Sequence, residues 1–145
     1  MPDPVSVREQ VLAAMTSAVG GEYGTPAPED ERDLPITIVQ ENGLDQASDD
    51  EYGYTNVVIP VSVGSAAVAT SNNRALMRAQ ANELLASLVS TVFADAPLGA
   101  LADGIQYTGG GIQTEVGKFV FAEAQFSVRY HTVRGDPYTI DEPEE

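Results

Sequence analysis

The stretch "KFVFAEAQFSVRYHTVRGDPYT", residues 118–139, holds the chain's only histidine and three of its seven basic residues. Alternation puts Val120, Ala122, Ala124, Phe126, Val128 and Tyr130 on one face of a strand, and Glu123, Gln125, Ser127, Arg129 and His131 on the other. One face packs and the other is wet. Fifteen extended residues at ~3.3 Å each cover about 50 Å, whereas a domain of this size is only about 40 Å across. The strand is therefore expected to bend, carry a bulge or protrude. A protruding hairpin would offer an open edge and projecting polar side chains to a neighbouring subunit.

Upstream of this strand, Asp3 is placed to cap a helix over 4–19, with Val7, Val11, Leu12, Met15, Ala18 and Val19 at helical spacing and Gly20-Gly21 as the stop. "GEYGTPAPEDERD" reads as an exposed connection. "LPITIVQE" reads as a first strand with Ile36 and Ile38 on one face. An acidic, glycine-containing loop follows over 42–54. "TNVVIPVSVGSAAVA" then alternates Val57, Ile59, Val61 and Val63 onto one side, and Pro60 predicts that this second strand lies at an edge or bulges there. Ser71 or Asn72 caps a second helix over 72–94, with Met77, Leu84, Leu85, Leu88, Val92 and Phe93 inward and Arg74, Arg78 and Glu83 outward. "ALADGIQYTGGGIQTEVG" gives a short strand and a glycine-rich turn. The order helix, strand, strand, helix, strand, strand predicts an α+β fold, a mostly antiparallel sheet with two helices packed on one face. Residues 1–145 read as one domain with a mobile acidic tail, 141–145.

Length and composition bound the function. A chain of 145 residues with 43% apolar and 20% charged residues suits a single globular domain, and no apolar run is long enough to cross a bilayer. "MPDPVSVREQ" places acid and proline where an export signal needs basic and then apolar residues. The absence of cysteine excludes disulfides and thiolate chemistry. A net charge of −15 disfavours binding to a phosphate backbone.

No constellation with a recognised catalytic spacing stands out. His131 has Glu123, Gln125 and Arg129 on its face but no motif around it, so a surface or contact role is expected rather than general-base catalysis. With no second histidine it makes no metal site. "TGGGIQT", 108–114, lacks the lysine of a phosphate-binding loop and reads as a flexible turn. The cluster Asp45, Asp49, Asp50 and Glu51 does not match the spacing of an EF-hand and reads as a solvated loop.

The succession "VREQVLAAM", "LPITIVQENG", "VVIPVSV", an alanine- and leucine-rich helix, "PLGALADGIQYTGGG" and "FSVRYHTVRGDPYT" resembles the tail terminator proteins of long-tailed bacteriophages, also described as tail completion or head-to-tail joining proteins. The resemblance runs from about Val5 to about Thr139 in element order and lengths, and the acidic stretches 28–33 and 141–145 depart from it. It implies a structural virion protein of the head-tail junction, assembled in the host cytoplasm. Such a protein forms a ring of six copies on the completed tail tube, ends tube growth and supplies the docking surface for the neck or connector. The implied partners are the chain itself, the tail tube protein and the neck protein, with DNA passing through the lumen without specific binding. Neither a cofactor nor an enzymatic activity is implied.

A closed ring needs a heterologous contact. The expected contact residues are Glu123, Gln125, Arg129 and His131 on the long strand and Asp45, Asp49, Asp50 and Tyr52 in the acidic loop. The competing readings are another small tail or neck component, such as a tube subunit or head-closure protein, a non-viral binding module, and an enzyme built on His131 and scattered carboxylates.

Overall fold

The computed structural model describes residues 6–23, 35–94, 102–115 and 119–140. The elements in chain order are α1 (Val7–Val19), β1 (Glu22–Tyr23), β2 (Ile36–Glu41), β3 (Gln46–Asp49), β4 (Tyr54–Val68), α2 (Arg74–Ala94), β5 (Gly104–Glu115) and β6 (Phe119–Val133). The fold is α+β, with two helices and a six-stranded mixed sheet ordered β1-β2-β4-β6-β5, and β3 also pairs with β4. Every pairing is antiparallel except β1 with β2. Compared with the expected succession, β1 and β3 are additional strands, and β3 forms inside the stretch read as an acidic loop.

Both helices start and stop for local reasons. Ser6, not Asp3, caps α1, its Oγ accepting from the Glu9 N–H at 3.3 Å. Gly20 ends the helix in the left-handed region at φ 65°. Its N–H donates to the Ser17 carbonyl and that of Gly21 to the Thr16 carbonyl. The cap of α2 is Asn73, whose Oδ1 accepts from Ala75 N at 2.9 Å and Leu76 N at 3.2 Å; the N–H of Asn73 itself is held by Ser71 Oγ.

The alternation read in the long strand holds residue by residue. Val120, Ala122, Ala124, Phe126, Val128 and Tyr130 of β6 are buried and stand opposite Val57, Ile59, Val61 and Val63 of β4 on the helix-covered face. Val7, Val11, Leu12 and Met15 of α1 and Leu88 and Val92 of α2 complete that core. Leu84 and Leu85 are half-buried against it, whereas Phe93, expected inward, is 45% exposed and touches Phe126 edge-on at 5.9 Å between ring centres.

Three expectations about strands are overturned. First, β6 does not offer an open edge. It runs in register with an equally long β4, from Tyr54↔Val133 to Val68↔Phe119, and its other side is taken by β5. On that side the sheet ends, among the described residues, at β5. Second, Pro60 sits in an interior strand without a bulge. In an antiparallel ladder the N–H and C=O of one residue point to the same side, and the Pro60 carbonyl accepts from Asn42 N at 2.8 Å. The ring nitrogen therefore points into the gap between the end of β2, at Glu41↔Val61, and the start of β3, at Gln46↔Val58, where no ladder bond is required.

Third, "TGGG" is strand, not turn. Pairing with β6 shifts between Tyr107 and Gly109, which places the bulge in β5. Gly110 faces the core, where a Cβ would stand 2.5 Å from Tyr107 Oη, 2.8 Å from the Glu123 carbonyl oxygen and 3.1 Å from Leu85 Cδ1. Only glycine fits here between the Tyr107 hydroxyl and the backbone of β6.

Among the described residues no helix covers the opposite face of the sheet. Ile36 and Ile38 face this way, opposite Ala66 and Gly64, while Val39 is the fully buried residue of β2. The Phe121 ring lies over Gly64, where a Cβ would approach it to 3.1 Å.

Candidate functional site

The eight expected contact residues divide between β6 and the surroundings of β3. Glu123 and Gln125 lie on the helix-free face of β6, opposite Gly111 and Gly109 of β5. With Phe121 they wall a groove of about 340 Å³ along β5. Added Cβ atoms at Gly109 or Gly111 would meet nothing within 4 Å, and the open space beside Gly111 is part of the groove. Gln125 Nε2 donates to Glu123 Oε1 at 3.4 Å.

Arg129 is exposed on the same face, and its Nη2 would lie 2.6 Å from a Cβ placed on Gly104. His131 lies beyond it, half-buried. Its Nδ1 is 2.8 Å from both carboxylate oxygens of Asp103, the residue just before β5, and its ring meets the Tyr54 ring edge-on at 5.2 Å. The expectation that His131 projects toward a neighbouring subunit has to accommodate this internal carboxylate. Asp103 also donates its N–H to the Arg129 carbonyl at 2.6 Å, which fixes the carboxylate in place.

Asp45, Asp49, Asp50 and Tyr52 lie around β3 and the turns that flank it, with β4 between them and β6. Asp45 is bound bidentately by Arg8 of α1, which Glu41 also contacts. The hydrogen bond to Asp45 holds the Arg8 guanidinium above its usual value. Burial, and then Glu41, pushes the nearby Tyr23 phenol up. Asp50 organises the turn from β3 to β4. Oδ1 accepts from Tyr52 N at 2.8 Å and Tyr54 N at 3.1 Å, and Oδ2 accepts from Asn56 Nδ2 at 3.0 Å. The Asn56 amide, then the Tyr54 N–H, holds this carboxyl below the usual range. Asp49 accepts from Thr55 Oγ1 at 2.5 Å, with Arg134 Nε 3.9 Å away. Tyr52, at the tip, is 76% exposed.

Among the described residues no group of three or more His, Asp or Glu side chains could hold a metal ion, and no helix is long and apolar enough to cross a membrane. The tail expected to be mobile, 141–145, lies outside the described residues, as does the acidic stretch 28–33.

Reading the sequence missed Arg8, Asp103, Leu44 and the groove glycines. Leu44 had a signal. It is the lone large aliphatic residue in "NGLDQASDDEYGY", and it is 91% exposed.

No family model matches the chain, and no curated protein matches it. Among solved structures, a chain titled "Virion of native gene transfer agent (GTA) particle" is similar to it at 18% identity and a TM-score of 0.38, covering 86% of this chain and 90% of that one. A likeness at that level carries no argument, and the functional reading rests on the residues themselves.

Proposed function

We propose that the chain is a structural virion protein that closes a phage-type tail tube as a ring, ends tube growth and presents a docking surface to the neck. The observation that carries this reading is the division of contact surfaces. A groove and a bare strand edge lie at the β5 end of one sheet, and a set of braced, exposed turns lies at its β2–β3 end. Two different surfaces on opposite sides of a subunit are what a head-to-tail ring requires, since each copy must offer one and accept the other. The likeness of the element succession to tail terminators supplies the rest: six copies, no cofactor, no catalysis, and the tail tube and neck proteins as partners. A net charge of −15 suits a lumen through which DNA slides without sticking.

The test is sedimentation and electron microscopy of the purified protein, alone and mixed with tail tubes. Discrete rings, and tubes capped at one end with growth halted, are expected. Long self-assembled tubes would identify a tube subunit instead. A protein that remains monomeric at every concentration, and in the presence of tubes, would reject assembly altogether.

A further inference from the structure

The chain has five asparagines, at 42, 56, 72, 73 and 82, and the fold treats them differently. An asparagine is lost when the backbone nitrogen of the next residue attacks its side-chain carbonyl carbon. That nitrogen must be free to give up its proton, and the amide must be free to turn toward it. A hydrogen bond that holds either group, or bulk on the following residue, slows the step.

All but one of them are guarded. Asn56 donates from Nδ2 to Asp50 Oδ2 at 3.0 Å, and the residue after it is Val57, β-branched and buried in β4. Asn72 is followed by Asn73, whose N–H donates to Ser71 Oγ at 3.0 Å. Asn73 uses its own Oδ1 to cap α2, accepting from Ala75 N at 2.9 Å and Leu76 N at 3.2 Å. Asn82 lies inside α2, where the N–H of Glu83 belongs to the helical ladder.

Asn42 has none of these guards. It is exposed at the start of the connection from β2 to β3, just past the last ladder pair of β2, Glu41↔Val61. Its backbone N–H donates to the Pro60 carbonyl at 2.8 Å, and among the described residues its side-chain amide has no hydrogen-bond partner. The next residue, Gly43, is exposed and has no side chain to shield its nitrogen, and among the described residues nothing accepts from its N–H. Its φ of 125° strains any residue with a Cβ, so the turn itself demands the neighbour that leaves Asn42 open to attack.

We propose that Asn42 is a site of spontaneous deamidation in the folded protein. The Gly43 nitrogen loses its proton to hydroxide and bonds to Asn42 Cγ. The Cγ–Nδ2 bond breaks, and the side-chain nitrogen takes a proton from water and leaves as ammonia, so that a cyclic imide remains. Water then opens the imide. Attack at Cγ restores the ordinary main chain with aspartate at position 42, and attack at the main-chain carbonyl carbon gives isoaspartate, in which the backbone runs through Cβ and Cγ. Water is the only co-reactant, and nothing is oxidised or reduced. Either product adds a carboxylate to the segment whose Glu41 and Asp45 already share Arg8. The isoaspartate form also lengthens the main chain between the end of β2 and the Asp45 anchor, which loosens the connection that carries Leu44. The inference concerns the chain alone and stands apart from the ring.

The test is intact-mass and isoelectric analysis of the wild-type protein, incubated in native buffer at neutral and at mildly alkaline pH, with circular dichroism to show that it stays folded. The protein should gain the mass difference between an amide and a carboxyl, faster at the higher pH, as a more acidic isoform appears. Peptide mapping should place the change at residue 42, with isoaspartate as the major product, and find residues 56, 72, 73 and 82 still asparagine. Asn42→Gln, whose longer side chain must close a larger ring, should keep its mass. Isomerisation at the dipeptide Asp103–Gly104 adds no mass and leaves this reading clear. A folded protein that keeps its mass, while the same chain unfolded in urea gains it, would overturn the proposal, because the fold would then guard Asn42 as it guards the others. Mapping of the change to any other asparagine would overturn it as well.

Discussion

Arg8 on α1 and Asp45 beyond β2, thirty-seven residues apart, meet through two parallel hydrogen bonds, Nε to Oδ2 at 2.6 Å and Nη2 to Oδ1 at 3.1 Å. The pair fastens the first helix to the connection that displays Leu44. Both side chains keep some contact with water, 30% and 22% exposed, so the stabilisation is that of a well-oriented but partly hydrated pair. Arg8→Ala should lower the stability of the monomer by about 1 kcal/mol. Arg8→Lys should restore little, since a lysine cannot present two parallel donors. Faster hydrogen exchange over 42–46 in both variants is the local readout, and unchanged exchange there would refute the bracing role.

Leu88 is 6% exposed and packs with Val92 against the sheet, while Leu84 is only half-buried. Leu88→Ala is expected to cost about 2–5 kcal/mol by leaving a cavity, and Leu84→Ala less. Denaturant melts of the two variants check the ranking. A larger loss at Leu84 would mean that α2 is rotated from the orientation described.

Adjacent glycines of β5 should respond in opposite ways. At Gly110 a methyl group would collide with the Glu123 carbonyl, a backbone atom that cannot swing aside, and with Tyr107 Oη. Gly110→Ala should therefore cost about 1–3 kcal/mol. Gly111→Ala projects into open space and removes freedom from the unfolded chain, so it should be neutral or slightly stabilising. Equal effects at the two positions in a thermal melt would contradict the facing assigned to the strand.

Acid should loosen two turns before it affects the core. The carboxyl of Asp50 is held low chiefly by Asn56, and that of Asp136 chiefly by Thr139, whose Oγ1 donates at 2.7 Å. Each folded value lies below the unfolded one. The contribution is thus complete above the ordinary carboxylate pKa of about 4 and is lost as pH falls through the lower folded value. The amide resonances of Tyr52, Tyr54 and Tyr138 should hold steady from about pH 7 to about pH 5 and shift only in stronger acid. A transition near neutrality would assign control of these turns to another group.

Elements with an apolar face were legible in the sequence, and those without one were not. The sides of β6 and the inward stripe of α1 could be read because a buried residue recurs at the period of the element, as with Val120 to Tyr130 and Val7 to Met15. All four residues of β3 are exposed, and the two-residue β1 is exposed as well, so neither leaves a pattern. Pro60 and the Gly109–Gly111 run misled for a shared reason. Their local preferences are real, but neighbouring strands decided the outcome, a gap in one case and a long partner in the other. Of the contact residues, the outward facing of Glu123, Gln125, Arg129 and His131 followed from alternation. The grip of Arg8 on Asp45 and of Asp103 on His131 could not, since each joins segments far apart in the chain.

The central position of β6 also affects the order of synthesis. It is the last of the eight elements to leave the ribosome, yet it separates β4 from β5 and pairs with both along their length. Until it emerges, β4 and β5 each present an unpaired edge, and the apolar side chains meant for the core have half a floor. Nascent chains spend this interval exposed to mispairing with one another, the more so because a closing strand so distant in sequence is slow to find its place. Translation that halts before residue 119 would yield an adhesive fragment, not a smaller version of the fold. Ribosomes sharing one message would thus hold such incomplete chains side by side until the final strand is made.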